Sequence, residues 1–167
     1  MGYTTDFSGC FDINKPLDRE TQNILKGLNN TRRMKRSVKK LAERLNISVE
    51  KCIEEYGKEG EFYFDNDNLG QNETSDVVNY NEPPSCQPSL WCAWKYNNDE
   101  NTIEWDGSEK FYEYIEWINY IKNILENKNY KLEGCISWMG EENGDVGDIE
   151  IKESKISIKT NFTKYSL

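Results

Sequence analysis

Apolar and polar positions alternate from Gly2 to Ile13, with Tyr3, Phe7, Phe11 and Ile13 on one side and Thr4, Asp6, Ser8 and Asp12 on the other. A period of two predicts a half-buried strand. Pro16 breaks it, and Asp18 caps a helix running to about Leu28, with Ile24, Leu25 and Leu28 inward. Ser37–Leu45 and Ser48–Tyr56 read as two further helices sharing a thin apolar stripe through Val38, Leu41, Leu45, Val49, Cys52 and Ile53. A short aromatic strand is expected over Glu61–Phe64.

The second half is more regularly patterned. Leu90–Tyr96 and Thr102–Trp105 predict a hairpin, with Leu90, Cys92, Trp94 and Tyr96 on one face and Trp91 and Lys95 on the other. A helix is expected from Ser108 to about Glu126, burying Phe111, Ile115, Ile118 and Leu125. Tyr130–Trp138 reads as a strand, and Ile149–Lys152 with Ile156–Lys159 as a hairpin. Adjacent strands with helices set apart define an α+β class. The expectation is one domain over 1–167: an antiparallel sheet of five to six strands with helices packed on one face. A helical insert falls at about 37–56. A polar loop rich in Asp, Asn, Ser and Pro falls at about 65–89, a length that in compact domains marks function or mobility.

Composition changes this picture in three ways. The aromatic share of 13% points to a core built on Trp, Tyr and Phe. Net charge is −9, which opposes nonspecific nucleic-acid binding. Residues 31–45 nevertheless hold seven basic residues and one acid, leaving −15 for the rest of the chain. Five cysteines without a CxxC pair predict free thiols and a reducing, cytoplasmic compartment. The N-terminus lacks a basic start and an apolar stretch, so no signal peptide is expected, and no apolar run has the length of a membrane span.

Residues 1–9 (MGYTTDFSG), 31–36 (TRRMKR), 80–84 with 87–92 (YNEPP…QPSLWC) and 103–112 (IEWDGSEKFY) resemble a family of small proteins of bacteria and their phages. The resemblance covers most of the chain, with 37–56 as a variable insert. The family has no established activity, so the resemblance assigns no catalytic residue; it implies a role in the contest between phage and host.

The chain contains no histidine, which removes His-based nucleophile systems, the commonest general base and His-containing zinc sites. No Walker A loop, GxGxxG or GxSxG is present. Asp65–Gly70 starts like a calcium loop, but Leu69 and Asp76 occupy positions where ligands of other kinds belong. Glu104 and Asp106 share a strand face and with Glu133 could hold Mg²⁺; the wet face of a sheet explains them more simply. Neither a cofactor nor a metal nor a catalytic residue is expected, and a binding role is favoured over catalysis.

The candidate binding residues are Arg32, Arg33, Lys35 and Arg36, whose guanidiniums suit phosphate oxygens, with Trp91 and Lys95 as a stacking platform. They point to a non-enzymatic protein that sequesters a nucleotide or other phosphorylated ligand, acting against host immune signalling. Two alternatives stand beside it: an acidic protein-binding inhibitor that mimics nucleic acid, and a carboxylate- or metal-dependent phosphoesterase. A homodimer through a sheet edge or helix face is compatible with the pattern.

Overall fold

The structure is a computed structural model that describes residues 2–160 and 164–166. It divides the chain into two compact units, one formed by 1–22 with 93–167 and the other by 23–92.

The first unit is built on an antiparallel sheet. Its strands are Thr5–Ile13 (β1), Trp94–Asn97 (β4), Thr102–Trp105 (β5), Leu132–Gly140 (β6), Val146–Lys152 (β7) and Lys155–Thr160 (β8), and a short segment, Lys164–Ser166 (β9), pairs with β8. The spatial order is β4-β5-β1-β6-β7-β8-β9. In β1, Thr5, Phe7, Phe11 and Ile13 are buried and Asp6, Ser8 and Asp12 exposed, as alternation predicts. The same period buries Ile136 and Trp138 on β6, Ile149 and Ile151 on β7, and Ile156 and Ile158 on β8.

Helix Tyr114–Asn127 (α4) packs on that apolar face. Trp117, Ile118, Ile121 and Leu125 are buried, and Ile115 is half-buried. Trp94 Nε1 donates to Tyr114 O at 2.9 Å, and Phe7 meets Trp94 and Tyr114 edge-on at 5.0 Å. The helix starts six residues later than its apolar stripe suggested. Asp106 Oδ1 accepts from Ser108 N at 2.8 Å, and Lys110 and Glu113 take left-handed conformations. That local turn competes with helix nucleation at Ser108. Phe111 is buried from outside the helix, within 5.1 Å of the Trp94 ring.

The second unit contains most of Arg19–Asn30 (α1), a two-residue strand Lys35–Arg36 (β2), the helices Val38–Leu45 (α2) and Val49–Tyr56 (α3), a 3-10 turn at Asp67–Gly70, and Val77–Asn79 (β3), which pairs with β2. Asp18 Oδ1 accepts from Thr21 N at 2.7 Å, the expected cap of α1. Ser37 and Ser48 cap α2 and α3, and Asn46 ends α2 in the left-handed conformation. Leu41, Ala42, Cys52 and Tyr63 form this unit's small core, with Val38, Leu45, Ile47 and Tyr56 against it.

Two expected strands are irregular instead. Glu61–Phe64 is turn and coil, and 90–92 precede the strand that begins at Trp94. In both places carbonyls accept from donors outside any ladder: Glu61 O and Tyr63 O from Arg33, Leu90 O from Arg33 N and Cys92 O from Asn29 Nδ2. Among the described residues no helix is long and apolar enough to cross a membrane.

Candidate functional site

Segment 32–37 is the spine of the second unit. The amides of Arg32, Arg33, Lys35, Arg36 and Ser37 donate to the carbonyls of Leu69, Leu90, Glu82, Glu59 and Asp76, at 2.8 to 2.9 Å. An extended strand sends successive groups to opposite sides, so one short segment ties together several loops at once.

The side chains of this spine were the expected phosphate binders, and the structure places them unequally. Arg33 is 1% exposed. Its Nη1 donates to Gly27 O at 2.8 Å and Tyr63 O at 2.9 Å, its Nη2 to Glu61 O at 2.7 Å and its Nε to Gln87 Oε1 at 3.4 Å. Gln87 Nε2 also donates to Glu61 O, at 2.7 Å. The Glu61–Phe64 backbone is irregular because its carbonyls face a guanidinium and not a neighbouring strand.

Arg36 is also buried. Its Nη1 pairs with Asp76 Oδ2 at 2.7 Å, while its guanidinium stacks on the Tyr63 ring at 3.8 Å. Arg44 of α2 reaches the same carboxylate, with Nε on Asp76 Oδ1 at 2.7 Å and Nη2 on Tyr63 Oη at 2.9 Å. Thr74 Oγ1 donates to Asp76 Oδ1 at 2.6 Å. Burial by itself would raise the pKa of Asp76; the hydroxyl and the two guanidiniums overcome it and hold the pKa at about 2. For Arg44 burial opposes the charge, and the bond to Asp76 more than restores it, so its pKa is raised.

Lys35 pairs with Glu82 at 2.8 Å and lies 3.5 Å from Glu59. Arg32 is half-buried and differs from its neighbours. Its Nε donates to Tyr80 O and its Nη2 to Asn81 Oδ1, and its guanidinium lies 4.0 Å from the Tyr80 ring and 5.8 Å from the Trp91 ring. Trp91 is 37% exposed. Arg32, Tyr80 and Trp91 thus form a cation–aromatic shelf at the surface of this unit. Lys95 belongs to the other unit; it is exposed on β4 opposite Glu104.

The carboxylates considered for metal binding are dispersed. Glu104 accepts from Asn97 Nδ2 at 2.7 Å, Asp106 from Ser108 N, and Glu133 is exposed opposite Asp12. Among the described residues no group of three or more His, Cys, Asp or Glu could hold a metal ion. In the calcium-like loop, Asp65 accepts from Asp67 N and Tyr63 Oη, while Asp76 serves the arginines.

Sequence reasoning missed Asp76 as the hub of the second unit and Gln87 as a partner of Arg33. A legible signal existed: buried charges need partners, and a basic run in a strongly acidic chain has them available nearby. Comparison with family models, characterised proteins and solved structures returns no match to this chain.

Proposed function

We propose that this chain is a non-enzymatic binding protein whose acidic surface engages a basic partner protein of the kind that otherwise holds nucleic acid. One observation carries the reading. Most cations of the basic run already hold partners within the chain, with Arg33 on backbone carbonyls, Arg36 and Arg44 on Asp76, and Lys35 on Glu82, while Lys39 and Lys40 stay exposed. The net charge of −9 is then expressed mainly at the surface, where it can steer a cationic partner. Asp6, Asp12 and Glu133 are exposed on β1 and β6, and Glu141 and Glu142 follow in the next turn. Asp12 and Glu133 are cross-strand partners, a like-charge placement that costs roughly 0.2–1 kcal/mol and has no stabilising purpose in the sheet itself.

The test is retention of basic proteins on the immobilised chain, followed by competition with duplex DNA and a salt series. Binding should weaken as salt rises and be displaced by the duplex. It should also fail when Asp12→Lys and Glu133→Lys are combined. Retention indifferent to salt and to charge reversal would sink the proposal.

A second reading keeps the phosphorylated ligand. It is favoured by the Arg32–Tyr80–Trp91 shelf, which offers a stacking surface beside a guanidinium. Calorimetry against linear and cyclic nucleotides, with Trp91→Ala as the variant, separates the two. Nucleotide binding lost in Trp91→Ala would put this reading first.

A further inference from the structure

Cys10 on β1 and Cys135 on β6 are direct register partners in an antiparallel pair. Cys135 is exposed, Cys10 half-buried, and both thiols are free. Their neighbours on the same strands, Asp12, Ser8, Glu133 and Ser137, are exposed too, so both sulfurs stand on the polar face of the sheet. Directly opposed side chains in such a pair have Cβ atoms about 4.5–5.5 Å apart, whereas a disulfide needs about 3.5–4.5 Å. Closure requires the strands to give by about an ångström.

Glycine stands beside each cysteine of the pair. Gly9 (φ 102°) and Gly134 (φ 145°) flank the two cysteines. A methyl at Gly9 would stand 2.5 Å from Cys135 O, and one at Gly134 would stand 2.6 Å from Cys10 O. Only glycine permits that approach from both strands.

We propose that Cys10 and Cys135 form a redox modification site, closing to a cross-strand disulfide by exchange with a low-molecular-weight disulfide of the glutathione class. Cys135 is the entry thiol because it is the exposed member. Its thiolate attacks one sulfur of the small disulfide, breaking that bond and releasing one small thiol. Cys10 then loses its proton and attacks the Cys135 sulfur, expelling the second small thiol. Two protein thiols are oxidised, one disulfide is reduced to two thiols, and the two protons leave on those thiols. The separation to be closed makes the product strained and therefore readily reduced again, the property of a labile bond and not a structural one.

The surroundings set the rate. Burial raises the pKa of Cys10, and so do Asp12, Glu104 and Glu100. Burial raises that of Cys135, with Asp148 and Glu150 adding to it and Lys159 opposing. Because the thiolate is the nucleophile, exchange should be slow at neutral pH and accelerate as pH rises past the ordinary thiol range.

The experiment incubates the full chain with oxidised glutathione, quenches with an alkylating reagent and maps peptides by mass spectrometry without reduction. The expected product links the Cys10 and Cys135 peptides with loss of two hydrogens, melts higher than the reduced protein and reverts with dithiothreitol. Cys10→Ser should stop at a mixed disulfide on Cys135 and Cys135→Ser should leave Cys10 largely unmodified, while Cys86→Ser, which removes the exposed thiol of the other unit, should close as the wild type does. Glutathione persisting on Cys135 without closure, or a bond from Cys135 to Cys86, overturns the proposal. If a serine variant fails to fold, the wild-type map decides alone, because it reads the linkage directly.

Discussion

Replacing Arg33 by alanine tests whether the basic run is architecture or a ligand contact. Four hydrogen bonds go with the side chain. Their acceptors do not suffer equally. Gly27 O retains Thr31 N at 3.1 Å and Glu61 O retains Gln87 Nε2, whereas Tyr63 O loses its donor among the described residues. One buried acceptor left unsatisfied costs about 1–3 kcal/mol, and hydrogen bonds to a charged donor each contribute about 1.5–3 kcal/mol. A void lined by Gly27, Glu61, Tyr63 and Gln87 adds to that, so a total of about 3–5 kcal/mol is expected, as for breaking a buried charged contact. At roughly 2–4 °C per kcal/mol for a chain of this size, the melting point should fall by about 6–20 °C. Arg33→Lys should recover little of this, because one ammonium cannot span three carbonyls that a planar fork reaches together. Urea denaturation followed by fluorescence and by circular dichroism measures the loss, with Arg32→Ala as a surface control expected within about 1 kcal/mol. A loss below about 1 kcal/mol for Arg33→Ala would refute the assignment and return this arginine to the pool of ligand contacts.

Asp76 makes stability depend on acid. Its folded pKa of about 2 lies below the ordinary 3.8, so its contribution of about 2 kcal/mol is fully present above pH 4 and lost as pH falls through 2; Asp76→Asn should flatten the stability profile in that window. Ile118, fully buried in α4, should cost about 2–5 kcal/mol as Ile118→Ala, measured by denaturant midpoint. Glu133→Gln removes one member of the Asp12 pair and should stabilise the protein by about 0.2–1 kcal/mol while weakening the basic partner; stabilisation without a change in binding would detach this face from function. Gly134→Ala should destabilise by about 1–3 kcal/mol, because φ is 145° and its methyl would meet Cys10 O; a neutral result would show that β1 and β6 can separate there without cost.

The sheet unit was largely legible because its elements carry a repeating pattern. Two-residue alternation located β1, β6, β7 and β8, and the stripe through Ile118 and Leu125 located α4. Where a side-chain bond overrode the pattern, the reading moved. The Asp106–Ser108 turn displaced the start of α4, and Arg33 drew Glu61 and Tyr63 out of a strand. The pairing of Cys10 with Cys135 could not be read from sequence at all, since it requires the register between strands more than 120 residues apart. The expected platform shifted for a related reason. Trp91 and Lys95 were placed on one strand face, but the strand begins after Trp91, at Trp94.

The inward arginines follow from what surrounds them. A segment such as 57–92 has little ladder or helix to satisfy its backbone, and buried carbonyls left without donors are costly. Arginine brings five N–H donors on a fixed plane and accepts none, so one side chain answers several carbonyls where a serine answers one and an asparagine at most two. Arg33 does this for Gly27, Glu61 and Tyr63, while Arg36 adds Gly70 O to its pairing with Asp76. A cluster of guanidiniums next to a long polar loop is therefore a request for carbonyls before it is an invitation to phosphate. Arg32 stands out against that rule. Its guanidinium lies over Tyr80 with Trp91 nearby, and unlike Arg33 and Arg36 it is only half-buried. If a phosphorylated ligand has a place on this unit, Arg32 with Trp91 is where the chemistry leaves room for it.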